Sequence, residues 1–326
     1  MKKKVISVCF ALLILYCLLF PRQMAASVTG GLALWYRSIL PTLLPFCVFS
    51  AIIVRSGIYD RIFEKLYPVT RILYPVRAPL IYPVITGFLF GFPLGSKICA
   101  DLYASGKVSS KEAELACCIS NNFGPAFLYN YLSVGVLGGE IPAALLFAAC
   151  YLPPLLTGRV LLAAANRSSR TKSFRLSGQE SAAAPPPSVP GKTKTASRSQ
   201  LNMKIIDAGI MDGFTTMIKL AGYILLSALL ADLLKRIPWD SSLFPCICIG
   251  ATEITNGLRQ IPLLPANLPL RAALAVGMVG FGGISGLLQT NAMMKATGFR
   301  LGRYVCFKLF CSLTGILLLL ALLPFC

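Results

Sequence analysis

The chain has 326 residues, 56% of them hydrophobic and only 13% charged, with 31 Lys and Arg against 12 Asp and Glu. Soluble domains average about 25% charged residues, so this composition excludes an ordinary soluble enzyme and indicates a polytopic membrane protein. The net charge of +19 does not indicate a nucleic-acid partner, because the cations sit between apolar runs, as in cytoplasmic loops, and do not stripe one soluble face.

The chain contains no His. That removes imidazole acid/base chemistry, Ser-His-Asp triads and His-ligated metal sites. There is also no P-loop, and Gly283-Ile284-Ser285-Gly286-Leu287 is not a nucleophile elbow, so the chain reads as a non-enzyme with no cofactor and no metal. The 12 Cys lie mostly inside apolar runs, as at Cys9, Cys17, Cys47, Cys150, Cys306 and Cys311. Cys117-Cys118 and Cys246-Ile247-Cys248 lack C-x-x-C spacing, and the set reads as small packing residues.

In chain order, Lys2-Lys3-Lys4 ahead of the apolar run 5–20 has the form of a signal anchor. Gln23-Met24-Ala25-Ala26 is a poor cleavage site, so residues 1–24 are expected to remain as an N-terminal transmembrane helix with its start in the cytoplasm. Residues 28–54 return, with Trp35 and Tyr36 near the interface and kinks at Pro41 and Pro45. Arg55, Arg61, Lys65, Arg71 and Arg77 mark residues 55–77 as a cytoplasmic stretch lying along the interface.

Residues 80–106 are apolar but interrupted by Pro83, Gly87, Gly91, Pro93 and Gly95, and both flanks are basic. A segment that enters and returns to the same side is predicted, a re-entrant hairpin with its tip near Pro93-Leu94-Gly95. Residues 113–136 then cross outward with a break at 121–125, and 141–165 cross back. Residues 166–203, rich in Ser, Ala, Pro and Lys, cannot bury a core and are expected to form a disordered basic cytoplasmic linker. In the second half, 207–234 cross outward and 243–265, interrupted at Gly250, Asn256, Gly257 and Pro262, form a second hairpin entered from outside. Residues 269–294 cross inward with a break at 280–286, and 304–324 leave the C-terminus outside. The expected fold is an all-α polytopic membrane protein of about seven transmembrane helices plus two re-entrant hairpins, with repeats at 25–165 and 204–326.

Spacing relates the two halves. Gly95-Ser96-Lys97 corresponds to Gly257-Leu258-Arg259, 162 residues on, and Gly124 to Gly283, 159 residues on. The first repeat starts from outside and the second from inside. Inverted repeats with interrupted segments are the plan of secondary transporters, which bind solute where hairpins meet broken helices.

Four motifs carry a resemblance: Gly91-Phe92-Pro93-Leu94-Gly95-Ser96-Lys97, Asn121-Asn122-Phe123-Gly124-Pro125, Thr252-Glu253-Ile254-Thr255-Asn256-Gly257 and Gly280-Phe281-Gly282-Gly283. On these the chain resembles the nucleoside-recognition, or Gate-domain, membrane proteins, in their sporulation integral membrane protein branch. The resemblance covers nearly all of the chain outside the first helix and the linker. It implies a plan similar to concentrative nucleoside transporters, and transport of dipicolinate (pyridine-2,6-dicarboxylate) across the outer forespore membrane of a sporulating bacterium.

A flat aromatic dianion needs fixed cations, neutral donors and helix N-termini aimed at its carboxylates. Lys97 and Arg259, one per hairpin, are the candidate cations, and Arg259 can bind in bidentate fashion. Ser96, Asn121, Asn122, Thr255, Asn256 and Ser285 are the candidate neutral ligands, with Phe92, Phe123 or Phe281 flanking the ring. The competing expectation is that Lys97 and Arg259 each snorkel to the interface or pair with Asp101 or Glu253, since a lone intramembrane cation costs about 2.5–3.5 kcal/mol. Asp101 and Glu253 are alternatively sites for a coupling Na+ or H+, and Lys219 and Lys308 are expected to snorkel. The partners expected are a small solute and the lipid bilayer. The alternatives are a nucleoside or nucleobase carrier, and a non-transporting membrane scaffold that docks through its linker.

Overall fold

The computed structural model describes residues 2–58, 78–176 and 202–325. Within them every regular element is helical. Helix α1 (Lys2–Leu19) and α2 (Pro21–Leu34) meet at a 109° bend. Pro21 has no N–H to continue the first helix but suits the first turn of the next. A π-helix (Trp35–Ile39) leads into α3 (Leu40–Ser56). The wide turn falls immediately before Pro41, whose missing N–H leaves the carbonyl four residues back without its helical partner. Trp35 opens this π-helix and donates its indole N–H to the Met217 carbonyl of the long helix Met203–Lys235 at 3.0 Å. Beyond residue 58 the expected interfacial stretch lies outside the described residues.

The first interrupted segment is a helix–turn–helix: α4 (Ala78–Phe90), a turn at Gly91 with φ 83°, and α5 (Leu94–Ala104). Helix α6 (Ser110–Ser120) starts with a reciprocal Ser109–Glu112 capping box and ends at Asn121. After the break a π-helix (Phe127–Val136) follows, and then α7 (Ala143–Leu176). α7 therefore continues through residues read as linker; residues 177–201 lie outside the described set. Helix α8 (Met203–Lys235) is capped by Asn202, whose side chain accepts from the Ile205 N–H. The second interrupted segment is α9 (Leu243–Thr252), one extended residue, Glu253, and α10 (Ile254–Leu258). Then α11 (Leu268–Phe281) and α12 (Gly283–Met294) are separated by Gly282 at φ 82°, and α13 (Leu301–Leu322) ends the fold.

Ala143–Leu162, Met203–Lys235, Leu268–Thr297 and Leu301–Phe325 are each long and apolar enough to cross a membrane, and the bent α1–α2 pair brings the number to five. Residues 113–136, read as one crossing, are two shorter helices joined at the break.

Packing follows two hydrophobic cores. One gathers α3, α4, α5, α6 and α12, with Met217, Leu220 and Ile224 of α8. The other gathers the second π-helix, α7, α9, α10 and α11. Each broken helix contributes one piece to each core, so both breaks lie at the boundary between them. Bare backbone makes the junctions. A Cβ on Gly124 would meet the Phe90 carbonyl group at 3.2 Å, and one on Gly283 would meet Thr252 O at 3.4 Å and Ile254 N at 3.5 Å. In both halves, then, a glycine at the break lies against the turn of that half's own hairpin. On α8, Gly209 and Gly213 sit four residues apart and admit Ile52 and Val48 of α3 close to the helix backbone.

Candidate functional site

The sequence-predicted residues fall into three places. At the first, Lys97 is 4% exposed, and its ammonium bonds Asp101 Oδ2 at 2.7 Å and Asp212 Oδ2 at 2.9 Å. Asp212 also meets Arg55 at 3.5 Å, so α8 ties together the first hairpin and the end of α3. Lys97, Asp101 and Asp212 line a cavity of about 150 Å³ with Thr216, Lys219 and Tyr223 of α8. Lys97 is thus charge-paired inside the protein, and by a second carboxylate that sequence reading missed. Ser96 is fully buried and donates to the Pro93 carbonyl within its own helix, at 2.7 Å. Ser285 is 7% exposed and accepts from Gln289 Nε2 at 2.9 Å. Neither hydroxyl lines the cavity; Gln289 does.

The second place lies against the second hairpin. The Glu253 carboxylate caps α10: it accepts the backbone N–H groups of Thr255 at 3.1 Å and Asn256 at 2.8 Å, the Thr255 hydroxyl at 2.6 Å and the Asn256 amide at 2.9 Å. Four donors to one carboxylate satisfy it locally. Glu253, Thr255, Asn256 and Arg259 line a cavity of about 270 Å³ opposite Asp232 and Lys235 of α8. Arg259 is exposed to this cavity and Lys97 is enclosed in the other, so the two cations occupy separate cavities. Glu253→Ala is expected to lower stability by about 1–2 kcal/mol, the loss of a helix cap, read as a drop in melting temperature. A wild-type melting temperature that rises with Na+ but not with K+, and loses that rise in Glu253→Gln, would assign the carboxylate to ion coupling instead.

The third place is the boundary where the breaks meet. Asn121 is 2% exposed and donates through Nδ2 to Thr290 Oγ1 at 2.8 Å and Tyr304 Oη at 2.7 Å, while its Oδ1 has no hydrogen-bond partner. Asn122 Nδ2 donates to the Ile119 carbonyl at 2.6 Å. Lys308 of α13 donates to the Asn121 carbonyl at 2.6 Å and to Asn122 Oδ1 at 3.2 Å. At 5% exposure it does not snorkel. It satisfies orphan carbonyl groups where α6 ends, the end of a helix that favours a cation. The Phe92 and Phe123 rings stand 6.2 Å apart beside it, and Phe281 lines the same cavity of about 10 Å³, room for roughly one water.

Asp212, Asp232, Lys308, Tyr304 and Gln289 are the participants that sequence reading missed or misplaced. Asp212, Asp232 and Lys308 carried a usable signal, since a charge inside a long apolar run is rarely idle. Tyr304 and Gln289 carried none.

The sporulation integral membrane protein YlbJ of Bacillus subtilis (strain 168) is 24% identical to this chain over 292 residues, covering 83% of this chain and 70% of that protein. The chain is a multi-pass integral membrane protein. No family profile and no solved structure matches it, so the Gate-domain part of the resemblance has no matching profile beside it. Cross-links fit a multi-pass arrangement. Arg55–Asp212 joins the last turn of α3 to α8, and Ser110–Thr297 and Glu114–Arg303 join α6 to the start of α13 and the turn before it. Tyr16 bonds Asp232, and Arg236 stacks 4.5 Å over Phe20, joining the α1–α2 bend to the far end of α8.

Proposed function

We propose that this protein carries a small organic anion across a membrane, along a route that follows α8. The observation that carries the reading is the placement of the two charged cavities on that helix. One is lined from Asp212 to Tyr223 and the other from Ile224 to Lys235, so the second begins where the first ends. From Asp212 to Lys235 is about 35 Å at ~1.5 Å per residue, more than the ~30 Å hydrocarbon thickness of a bilayer. Where the two breaks meet, a third cavity of only about 10 Å³ is lined from the first hairpin turn, the breaks and α13. Two polar cavities in series along one helix, with a tight junction where interrupted helices meet, suit a carrier that binds its solute at such a junction.

The two interrupted segments, each with a glycine from its own broken helix against its turn, support inverted repeats with two re-entrant hairpins. The seven-crossing topology, with the N-terminus in the cytoplasm and the C-terminus outside, belongs to this reading. The relative's role in sporulation, and the resemblance drawn from the motifs, make dipicolinate the anion of choice and the outer forespore membrane its place.

The test is uptake of labelled pyridine-2,6-dicarboxylate by a non-sporulating bacterium expressing the protein. Uptake several-fold above the empty vector is expected, competed by unlabelled dicarboxylate and indifferent to uridine. Competition by uridine would move the reading to a nucleoside carrier. No uptake of either solute, with the protein present in the membrane, would overturn transport.

A further inference from the structure

We propose that a carboxylate of the solute is held at the boundary between the two cores, by the ammonium of Lys308 and the N-terminal amides of α12. This deepens the transport reading and rests on it. Lys97 and Arg259 then serve the two larger cavities, and the carboxylate subsite lies at the breaks.

The first observation is the electrostatic contrast between two buried lysines. Lys97 has two carboxylates within 2.9 Å. Lys308 is equally buried, yet its bonds go to neutral oxygens, those of Asn121 and Asn122, and among the described residues it has no carboxylate partner. An ammonium carries three donors, so one remains after these two bonds. Burying a charge is costly unless an opposite charge compensates it; Lys97 has two carboxylates, whereas Lys308 has instead the partial charge of the α6 C-terminus and the face of the Tyr304 ring.

The second observation is independent. Helix α12, of 12 residues, has the glycine Gly282 at its N-cap and no side-chain cap there. Its first-turn amides and the positive end of its dipole are therefore available to an anion. Gly282 and Gly286 line the same small cavity as Lys308. Asn121 lines it too, but both its amide protons are engaged by Thr290 and Tyr304 and its Oδ1 is an acceptor, so the donors offered to a carboxylate are the Lys308 ammonium and the α12 amides. The walls are the rings of Phe92, Phe123 and Phe281, flat apolar surface suited to an aromatic solute. Phe92 comes from the hairpin turn and Phe123 from the first break, and because the cavity holds only about one water, seating the solute requires a ring to move aside. The ligand class that fits is an aromatic carboxylate.

Purified protein in detergent, titrated with pyridine-2,6-dicarboxylate and followed by its melting temperature, tests this, with uptake measured on the same proteins. The wild type is expected to show a saturable rise in melting temperature that uncharged pyridine does not produce. Lys308→Gln keeps a donor for the Asn121 carbonyl but loses the charge, and its titration midpoint is expected at least tenfold higher. Gly286→Ala adds a methyl group 3.8 Å from the Phe92 ring, an ordinary contact inside a helix, so it folds while filling the cavity. Its midpoint is expected several-fold higher, and it carries the test if Lys308→Gln does not fold. A wild type that responds while both variants keep its midpoint overturns the subsite and leaves transport standing. A wild type that neither responds to the dicarboxylate nor takes it up overturns the transport reading and the subsite together.

Discussion

Lys97→Ala is expected to lower stability by about 3–5 kcal/mol, enough to deplete the protein from the membrane fraction. The reason is what remains afterwards. Lys97 bonds Asp101 and Asp212 at once, at 2.7 and 2.9 Å, and its side chain is only 5% exposed. Removing it leaves two carboxylates facing each other around a vacated ammonium position. Arg55, 3.5 Å from Asp212 and half exposed, compensates weakly. Read from the sequence alone, the same substitution is expected to spare the protein level and remove only transport. The ion pairs reverse that order. Melting temperature and monodispersity in detergent check it, with the double variant Lys97→Met/Asp212→Asn as control. Removing one charge of each sign should restore more than half of the loss, because charges in one network couple strongly. Wild-type stability in Lys97→Ala would show that the network does not hold the hairpin.

Gly87→Ala is expected to be the most damaging single methyl group in the first half. A Cβ at Gly87 would fall on the carbonyl of Ser120, which is backbone and cannot swing aside, and one at Gly95 would lie 2.7 Å from the same oxygen. Both arms of the hairpin thus press on the last turn of α6. The loss should reach or exceed the ~1–3 kcal/mol typical of an overpacked core, because separating α4 from α6 also opens the junction at Gly91 and Gly124. Gly106→Ala is the control for backbone strain alone: its φ is 72° with nothing near, so it should cost only about 1 kcal/mol. Similar melting temperatures for the two variants would contradict this packing.

Those glycines show what sequence reading can and cannot reach. Gly87 and Gly95 were visible as interruptions, and a helix–turn–helix follows from them, but their positions are inside helices. Only Gly91 is the turn. Glycine reads alike whether the chain needs a left-handed residue or a close approach, and the distinction lies in what packs against it. The breaks at 121–125 and 280–286 were legible for a firmer reason, because Gly and Pro beside polar residues cannot continue a buried apolar helix. The Lys97–Asp101 pair was legible because four residues is one helical turn. Asp212 lies 115 residues away, and a single sequence has no register for that distance. Lys308 was read as a snorkelling lysine because it stands mid-run in an apolar helix; the fold instead places it against the carbonyl of Asn121, 187 residues earlier.

The central claim is that solute moves along α8 through both cavities. Uptake of labelled pyridine-2,6-dicarboxylate into proteoliposomes, compared among wild type, Ala228→Trp and Ala292→Trp, tests it most directly. Ala228 lines the larger cavity and Ala292 the smaller, and neither belongs to an ion pair or a hydrogen-bonding side chain. The account predicts saturable wild-type uptake and at least a tenfold loss in each variant, with both proteins still monodisperse. Undiminished uptake in both variants would contradict it.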